Sequence, residues 1–409
     1  MNHPRPYDVV LYGASGFTGQ QTVEYFAQNV DGEQVRWAIA GRNPDKLAQV
    51  KQALAIPVDI LVADSRDQGG LEAIAAQTQV ILNTAGPFAL HGDAVVDACV
   101  RKQTHYADIT GETPWVKSLI QRYHTQAETE GTRIIPCCGF DSVPSDLGTY
   151  LLVRFMQEHL GVSCRQLKAY FQAAGGLNGG TLASAVNLAR SGQASQLADP
   201  FLLNPPNSVS PAIRANSADP QWPQYDRSLG AWTAPFFMGP VNTRVVRRSC
   251  ALYEQWQASY GSDFTYQEYL KFDGSGSAGS AIAITLGTGL FALALSQPWV
   301  WFLLQSRLPQ PGNGPSAQVM DEGWFSCQLI GWTEDGSSAH CWLRNQGDPG
   351  NRSTVKFLCE SALCLVQETE KLPKRGGVLT PATGLGDVLA GRLRQAGVTI
   401  ELAPYQRGE

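Results

Sequence analysis

The stretch from Tyr7 to Asn29, "YDVVLYGASGFTGQQTVEYFAQN", limits the fold more than any other part of the chain. Val9-Val10-Leu11-Tyr12 is a short continuous apolar run, the pattern of a strand buried on both faces. Gly13, Gly16 and Gly19 follow at three-residue spacing, and from Gln20 to Phe26 the pattern turns helical, with Val23 and Phe26 three apart. A strand, a glycine turn and a helix in that order gather free backbone N–H groups and the positive end of a helix at one point. Such a point suits a diphosphate, because glycine lets the chain turn tightly and lets the ligand approach the backbone. Glycines at this spacing also make ordinary turns. The strand before them and the helix after them are the context that marks a dinucleotide site.

The next elements extend the pattern. A second strand, Val35 to Ala40, ends in Gly41-Arg42-Asn43. An acidic residue at this tip holds the ribose 2′-hydroxyl of NAD, whereas an arginine suits a 2′-phosphate. Arg42 stands there with no Asp or Glu beside it, so NADPH is the expected cofactor. A third strand, "VDILVAD", ends in Asp64-Ser65, placed to touch the adenine. A fourth, Val80 to Asn83, runs into Thr84-Ala85-Gly86-Pro87, which should pass the nicotinamide end, since ligands lie outside the carboxyl ends of such strands. The expected cofactor contacts are therefore Gly13, Ser15, Gly16, Phe17, Thr18, Gly19, Arg42, Asn43, Asp64, Ser65, Thr84, Ala85, Gly86 and Pro87. "THYADIT" reads as a fifth strand. "RIIPCCGFDSVPSDLG" starts as a strand and breaks into a loop, with Asp146 expected to cap a helix from about Leu147. Strands alternating with helices predict a doubly wound parallel sheet over residues 1–145.

Several function classes drop out. A chain of 409 residues is too long for one ordinary core, so a second domain is expected. The formal charge of −5, with both signs scattered, offers no broad basic face for nucleic acid. Nine cysteines, including Cys137-Cys138, lack CxxC spacing and histidines at ligand intervals, which argues against a metal site. They read as reduced thiols of a cytoplasmic protein. No basic and apolar leader precedes Tyr7, so secretion is not expected.

In the remainder, "CRQLKAYFQAAGGLNGGTLASAVNLARS" predicts a strand, a glycine-rich loop and a helix capped at Thr181. Residues 200–240 read as a long covering loop. Arg244, Arg247 and Arg248 sit on "TRVVRRS", a strand-like run that would split them between two faces. Asp335-Gly336 joins two alternating strands as a hairpin, and Val355, Leu358, Ala362, Leu363 and Val366 mark a later helix. Residues 274–306 carry no charge at all. That length suffices to span a bilayer, yet Gln297-Pro298 interrupts it, Gly287 and Gly289 loosen it, and Trp299 and Trp301 suit the headgroup level. It reads as a buried helix pair, a span, or a hairpin dipping into one leaflet. A span is disfavoured because it would split the flanking domain, and the hairpin is narrowly preferred.

Taken in order, "GASGFTG", "AGRNPDKL", "NTAGPF", "HYADITGE", "CGFDSVPSDLG", "GGTLASAVNL", "FMGPVNTRVVRRS" and "GGVLTPATGLGDVLAGRLRQAGVTIE" resemble the saccharopine dehydrogenase-like oxidoreductases, a family that includes the mycobacterial trans-acting enoyl reductases. The resemblance runs over nearly the whole chain. It implies an α/β fold: a Rossmann domain (1–145), an inserted α+β substrate domain (146–349, with the apolar segment 274–306), and a segment 350–409 that returns to the first domain. It also implies an NAD(P)H-dependent reductase. The middle region shows no concentrated cations fit to clamp a tricarboxylate amino acid, which favours an apolar enoyl or acyl-type substrate of lipid or polyketide chemistry. A saccharopine-type amino-acid dehydrogenase and a catalytically weak, cofactor-bound membrane adaptor are the alternatives. Tyr106, Asp141 or an ordered water is the expected proton donor; Tyr106 also reads as a core residue and Asp141 as a turn former. Peripheral membrane contact through 274–306 follows from the hairpin, and a homodimer stays open.

Overall fold

Two seven-stranded sheets organise the chain. The computed structural model describes residues 5–176, 178–206, 208–297 and 312–405. The first part runs β1 (Tyr7–Tyr12), α1 (Phe17–Asn29), β2 (Trp37–Gly41), α2 (Pro44–Ala53), β3 (Asp59–Val62), α3 (Gln68–Gln77), β4 (Thr78–Asn83), α4 (Phe88–His91), α5 (Asp93–Lys102), β5 (His105–Asp108), α6 (Thr113–Glu130) and β6 (Arg133–Ile135). Next come α7 (Val143–His159), β7 (Gln166–Ala174), α8 (Gly179–Arg190), α9 (Pro211–Ala215), β8 (Gln224–Asp226), β9 (Ala231–Pro235), α10 (Gly239–Gln255), β10 (Thr265–Phe272) and α11 (Ser277–Ser296). After α12 (Ala317–Glu322) follow β11 (Trp324–Trp332), β12 (Ser338–Gln346), α13 (Thr354–Gln367), β13 (Gly377–Val378), α14 (Pro381–Gln395) and β14 (Thr399–Pro404).

The first sheet has the order β13-β6-β5-β4-β1-β2-β3, every pair parallel. Alternation explains the apolar run of β1. Val9 and Leu11 enter the core on one face, and Val10 and Tyr12 enter the core on the other. The strand order reverses between β1 and β4, and the glycine turn follows β1 at that switch point. This is the doubly wound sheet expected from the sequence. The second sheet has the order β14-β12-β11-β7-β10-β9-β8, mixed, with β10 and β7 parallel and its other pairs antiparallel. Its inner face rests on α7, where Gly148 admits Leu329 and Leu343 so closely that a Cβ would lie 2.8 Å from each.

Several local expectations change. Thr181 does not cap α8; Asn178 does, accepting from the Thr181 N–H at 2.9 Å. Asp146 lies inside α7, which starts earlier, at Val143. Its carboxylate instead meets the first turn of α14, whose cap is Thr380, and accepts the Ala382 N–H there at 2.8 Å. The "TRVVRRS" run is helical, in α10, because its neighbours Val241, Val245 and Leu252 repeat at helical rather than strand spacing. The covering loop at 200–240 contains α9 and the β8–β9 pair at the sheet edge. Segment 350–409 serves both sheets: β13 joins the first and β14 the second.

For α11, the described part of the apolar segment, the buried reading fails. In α11 only 6% of residues Ser277–Ala294 are buried. Residues 298–306, including Pro298, Trp299 and Trp301, lie outside the described residues.

Candidate cofactor and active site

At the carboxyl ends of β1, β4 and β5 the three motif glycines do three different things. Gly13 has φ +86°, and a Cβ there would lie 2.7 Å from the Ala85 N and 2.8 Å from the Thr84 hydroxyl oxygen. It sets the turn and lets the loop after β4 lie against it. Gly19 faces back onto the turn, where a Cβ would lie 2.1 Å from the Gly13 carbonyl oxygen; it sets how closely α1 packs on β1. Gly16 is exposed and extended, at φ −77°. A Cβ there would meet only the Gly13 oxygen, at 3.4 Å.

Gly16 is also the N-cap of α1 and contributes no capping side chain. The first-turn N–H groups of a helix have no intrahelical acceptor, so those at Phe17, Thr18 and Gly19 converge beside an open glycine. That cradle fits a diphosphate. Ser15 lies in the same turn, its carbonyl accepting from the Gln20 amide at 3.1 Å. The Phe17 ring is covered from the second domain by Gly314, whose Cβ would come within 2.3 Å of it.

Beyond β2 and β3 the site is cationic. Arg42 is exposed at the tip of β2. Asn43 spends its side-chain oxygen capping α2, on the Lys46 N–H at 2.9 Å. Arg66, which the sequence reading passed over, stands in solvent and pairs with Asp64 at 3.0 Å, and this pairing holds the Asp64 carboxyl below its ordinary range. The Ser65 hydroxyl meets the Nδ1 of His91 at 3.3 Å. Partial burial lowers the His91 pKa, with Arg42 adding to the effect. Arg42, Arg66, Ser65 and His91 are thus neighbours beyond the ends of β2 and β3. Arg66 and His91 were legible only as surface residues, because their neighbourhood depends on the β2–β3 pairing.

The loop after β4 is firmly held. Thr84 donates its N–H and its hydroxyl to the Tyr12 carbonyl, at 2.9 and 3.1 Å. The Ala85 N–H donates to Asn83 at 2.9 Å, and Gly86–Pro87 is a cis peptide. Glu112, at the start of α6, accepts from the Phe88 N–H at 2.8 Å and the Ala89 N–H at 3.2 Å. It also accepts from the Ser184 hydroxyl at 2.9 Å and the Asn187 amide at 3.5 Å, both on α8. One buried carboxylate therefore fastens the second domain to the loop beside the cofactor cleft. The sequence motif contained Glu112, but nothing in the spacing showed its partners.

The two expected proton donors part company. Tyr106 is fully buried within β5. Its hydroxyl accepts from the Asn83 amide at 3.0 Å and donates to Asp108 at 2.8 Å, and burial raises its pKa well above the usual value. Asp108 also accepts from the Thr110 and Cys137 N–H groups, at 2.9 and 3.1 Å, and burial pushes it up to about 7. These contacts hold Cys137 at φ +65°. Tyr106 is a structural member of this cluster and does not reach the cleft.

Asp141 lies in the loop before α7 and keeps some solvent exposure. Its carboxylate takes no hydrogen bond from any described residue, and desolvation alone pushes it up to about 6. Next to it, Ser142 donates to Asn242 at 3.3 Å, and Asn242 donates to Glu268 at 3.0 Å. Opposite the loops, the second domain presents apolar groups. A Cβ on Gly111 would lie 3.6 Å from the Met238 methyl and 3.9 Å from Val241.

The three clustered arginines are committed elsewhere. Arg244 binds Asp219 and the carbonyls of Leu197 and Asp199. Arg247 donates to the carbonyls of Pro200 and Tyr266, and Arg248 to those of Leu203 and Val378. They tie α10 to the surrounding loops. Among the described residues no group of His, Cys, Asp and Glu has the arrangement of a metal site.

Residues 9–135 match the model of the saccharopine dehydrogenase NADP-binding domain. A Mycobacterium tuberculosis protein, provisionally named a trans-acting enoyl reductase, is 36% identical over 97% of this chain and 98% of its own. The trans-acting enoyl reductase of Mycobacterium bovis is 34% identical over 97% of each chain. The chain belongs to the saccharopine dehydrogenase-like oxidoreductases. The Saccharomyces cerevisiae saccharopine dehydrogenase (L-Glu forming) shares the fold, with a TM-score of 0.52 and 13% identity over 98% of this chain and 100% of that one. The family member described here is an NADPH-dependent oxidoreductase whose first domain binds NADP(H).

Proposed function

We propose that this oxidoreductase reduces the α,β-carbon double bond of an enoyl group on an apolar acyl chain, a reaction of lipid or polyketide metabolism in the cytoplasm. One observation carries the reading. Arg244, Arg247 and Arg248 are buried and spent on carbonyls and Asp219, while Met238 and Val241 face the loops after β5. A tricarboxylate amino acid needs charge-assisted partners that these arginines do not offer, whereas an acyl chain gains from apolar walls. The names of the mycobacterial relatives support the same choice.

In this reading the first-turn N–H groups of α1 hold the diphosphate, Arg42 and Arg66 face the 2′-phosphate, and Thr84–Pro87 lines the nicotinamide end. Bound NADPH supplies the hydride. The chain must orient the alkene, exclude water and deliver a proton to the neighbouring carbon. Asp141 is our candidate for that proton: it precedes α7, its carboxylate takes no hydrogen bond from any described residue, and desolvation lets it keep a proton toward neutral pH. Glu112 fixes the loop against which the substrate is oriented.

NADPH consumption with a 2-enoyl thioester or a 3-oxoacyl thioester, and NADPH formation from saccharopine with NADP, test the reading. Turnover confined to the enoyl compound is expected. Turnover confined to saccharopine overturns it. Tight NADPH binding with no turnover of any of the three favours the adaptor.

A further inference from the structure

α11 is uncharged along its whole length and stands out from the second domain. It packs against β9, β10 and α8, and within residues 277–294 Ala281 alone is fully buried. Beyond that point Ile282, Ile284, Leu286, Leu290, Phe291 and Leu293 are exposed, Leu290 at 67% and Leu293 at 60%. At about 100° per residue, Ile282, Leu286 and Leu293 fall on one side of the helix and Ile284 and Phe291 on the opposite side. The mean hydropathy of Ser277–Ala294 is 1.6, within the range of helices that enter bilayers.

We infer that α11 is an anchor that inserts into the hydrocarbon of one leaflet of a lipid membrane. A second copy of the chain, or a groove on another protein, would cover one stripe and leave the opposite apolar side in water. Only a solvent that is apolar in every direction satisfies a helix with apolar groups on both sides. The topology selects insertion over spanning. β10, before the helix, and β11, after it, both pair with β7 in one continuous sheet. The chain therefore comes back to the side from which it left, with the Asn313 carbonyl accepting from the Gly179 N–H at the start of α8, at 2.9 Å. A 20-residue helix is about 30 Å long, against about 15 Å for half a hydrocarbon core, so α11 enters tilted.

The test is flotation of the full-length protein with phosphatidylcholine vesicles, which carry no net charge, at low and high salt. The wild type should float equally at both. Leu286→Asp/Leu290→Asp should lower the partition coefficient about 100-fold or more. Its melting temperature should not change, because both side chains are exposed, and its NADPH binding should not change either. In a Phe291→Trp variant, lipids brominated on the acyl chain should quench the new tryptophan. Wild type left unfloated overturns the inference, and so does flotation lost at high salt, which would indicate a charged surface. A soluble dimer dissolved by the double substitution would assign α11 to a second copy instead. If the double variant fails to fold, quenching of Phe291→Trp decides by itself.

Discussion

Gly16 offers the sharpest separation of cofactor binding from folding. Its extended backbone suits any residue, and a Cβ would make only one contact, 3.4 Å from the Gly13 oxygen. Gly16→Val should therefore leave the fold intact, and loss of glycine's freedom in the unfolded chain adds a few tenths of a kcal/mol or more. The valine methyls would occupy the space through which a diphosphate reaches the first-turn N–H groups. Losing two hydrogen bonds to a charged acceptor, at about 1.5–3 kcal/mol each, predicts an NADPH Kd raised by about 10² to 10⁴-fold. Gly13→Ala and Gly19→Ala are the contrast. The first forces a side chain to positive φ and to 2.7 Å from the Ala85 N; the second drives one to 2.1 Å from the Gly13 oxygen. Both should lower the melting temperature before any binding is measured. Calorimetric titration with NADPH beside thermal melting of the three variants reads both effects. NADPH bound at wild-type affinity by Gly16→Val would refute the assignment of the turn, and so would a Gly16→Val melt as low as that of Gly19→Ala.

Arg42→Asp should weaken NADPH by about tenfold to a hundredfold while leaving NADH nearly unchanged. Equal loss for both nucleotides would place the 2′-phosphate elsewhere. Tyr106→Phe should cost about 1–3 kcal/mol of stability, because Asp108 and Asn83 each lose a buried partner. Its kcat should stay near wild type; a large fall in kcat with an unchanged melt would return Tyr106 to the chemistry. Asp141 has a folded pKa of about 6 against an ordinary value of 3.8, so its contribution to stability is complete below 3.8 and is lost as pH rises through 6. Wild type should lose up to about 3 kcal/mol over that window relative to Asp141→Asn, less to the extent that solvent reaches its partly exposed carboxyl, measured by denaturant melts at several pH values. The kcat of the wild type should fall through the same pH as the proton is lost, and a flat profile would exclude Asp141 as the donor.

The sequence carried the first sheet well because its cues are local. Buried parallel strands are continuous apolar runs, and the glycine turn occupies the seven residues from Gly13 to Gly19, between β1 and the first turn of α1. Cues that depend on distant partners were hidden. "TRVVRRS" looked like a strand that would split its arginines between two faces, yet in the helix Arg247 and Arg248 are answered by carbonyls from other parts of the chain, 19 to 130 residues away in sequence. Tyr106 and Asp141 looked alike as donors, and only the closure of Asn83 and Asp108 around one hydroxyl separates them. Glu112 and His91 stood in plain view, but their roles come from loops that meet across the strand ends.

The placement of β13 and β14 has a consequence for how the protein is made. β6 and β12 each present an open edge until residues 377–404 have left the ribosome, since β13 and β14 are the outermost strands of their sheets. During synthesis both sheets wait with unpaired N–H and C=O groups, a template for mispairing with another nascent chain. Neither half can be finished early, so the two domains must be completed together, after most of the polypeptide is already exposed to the cell.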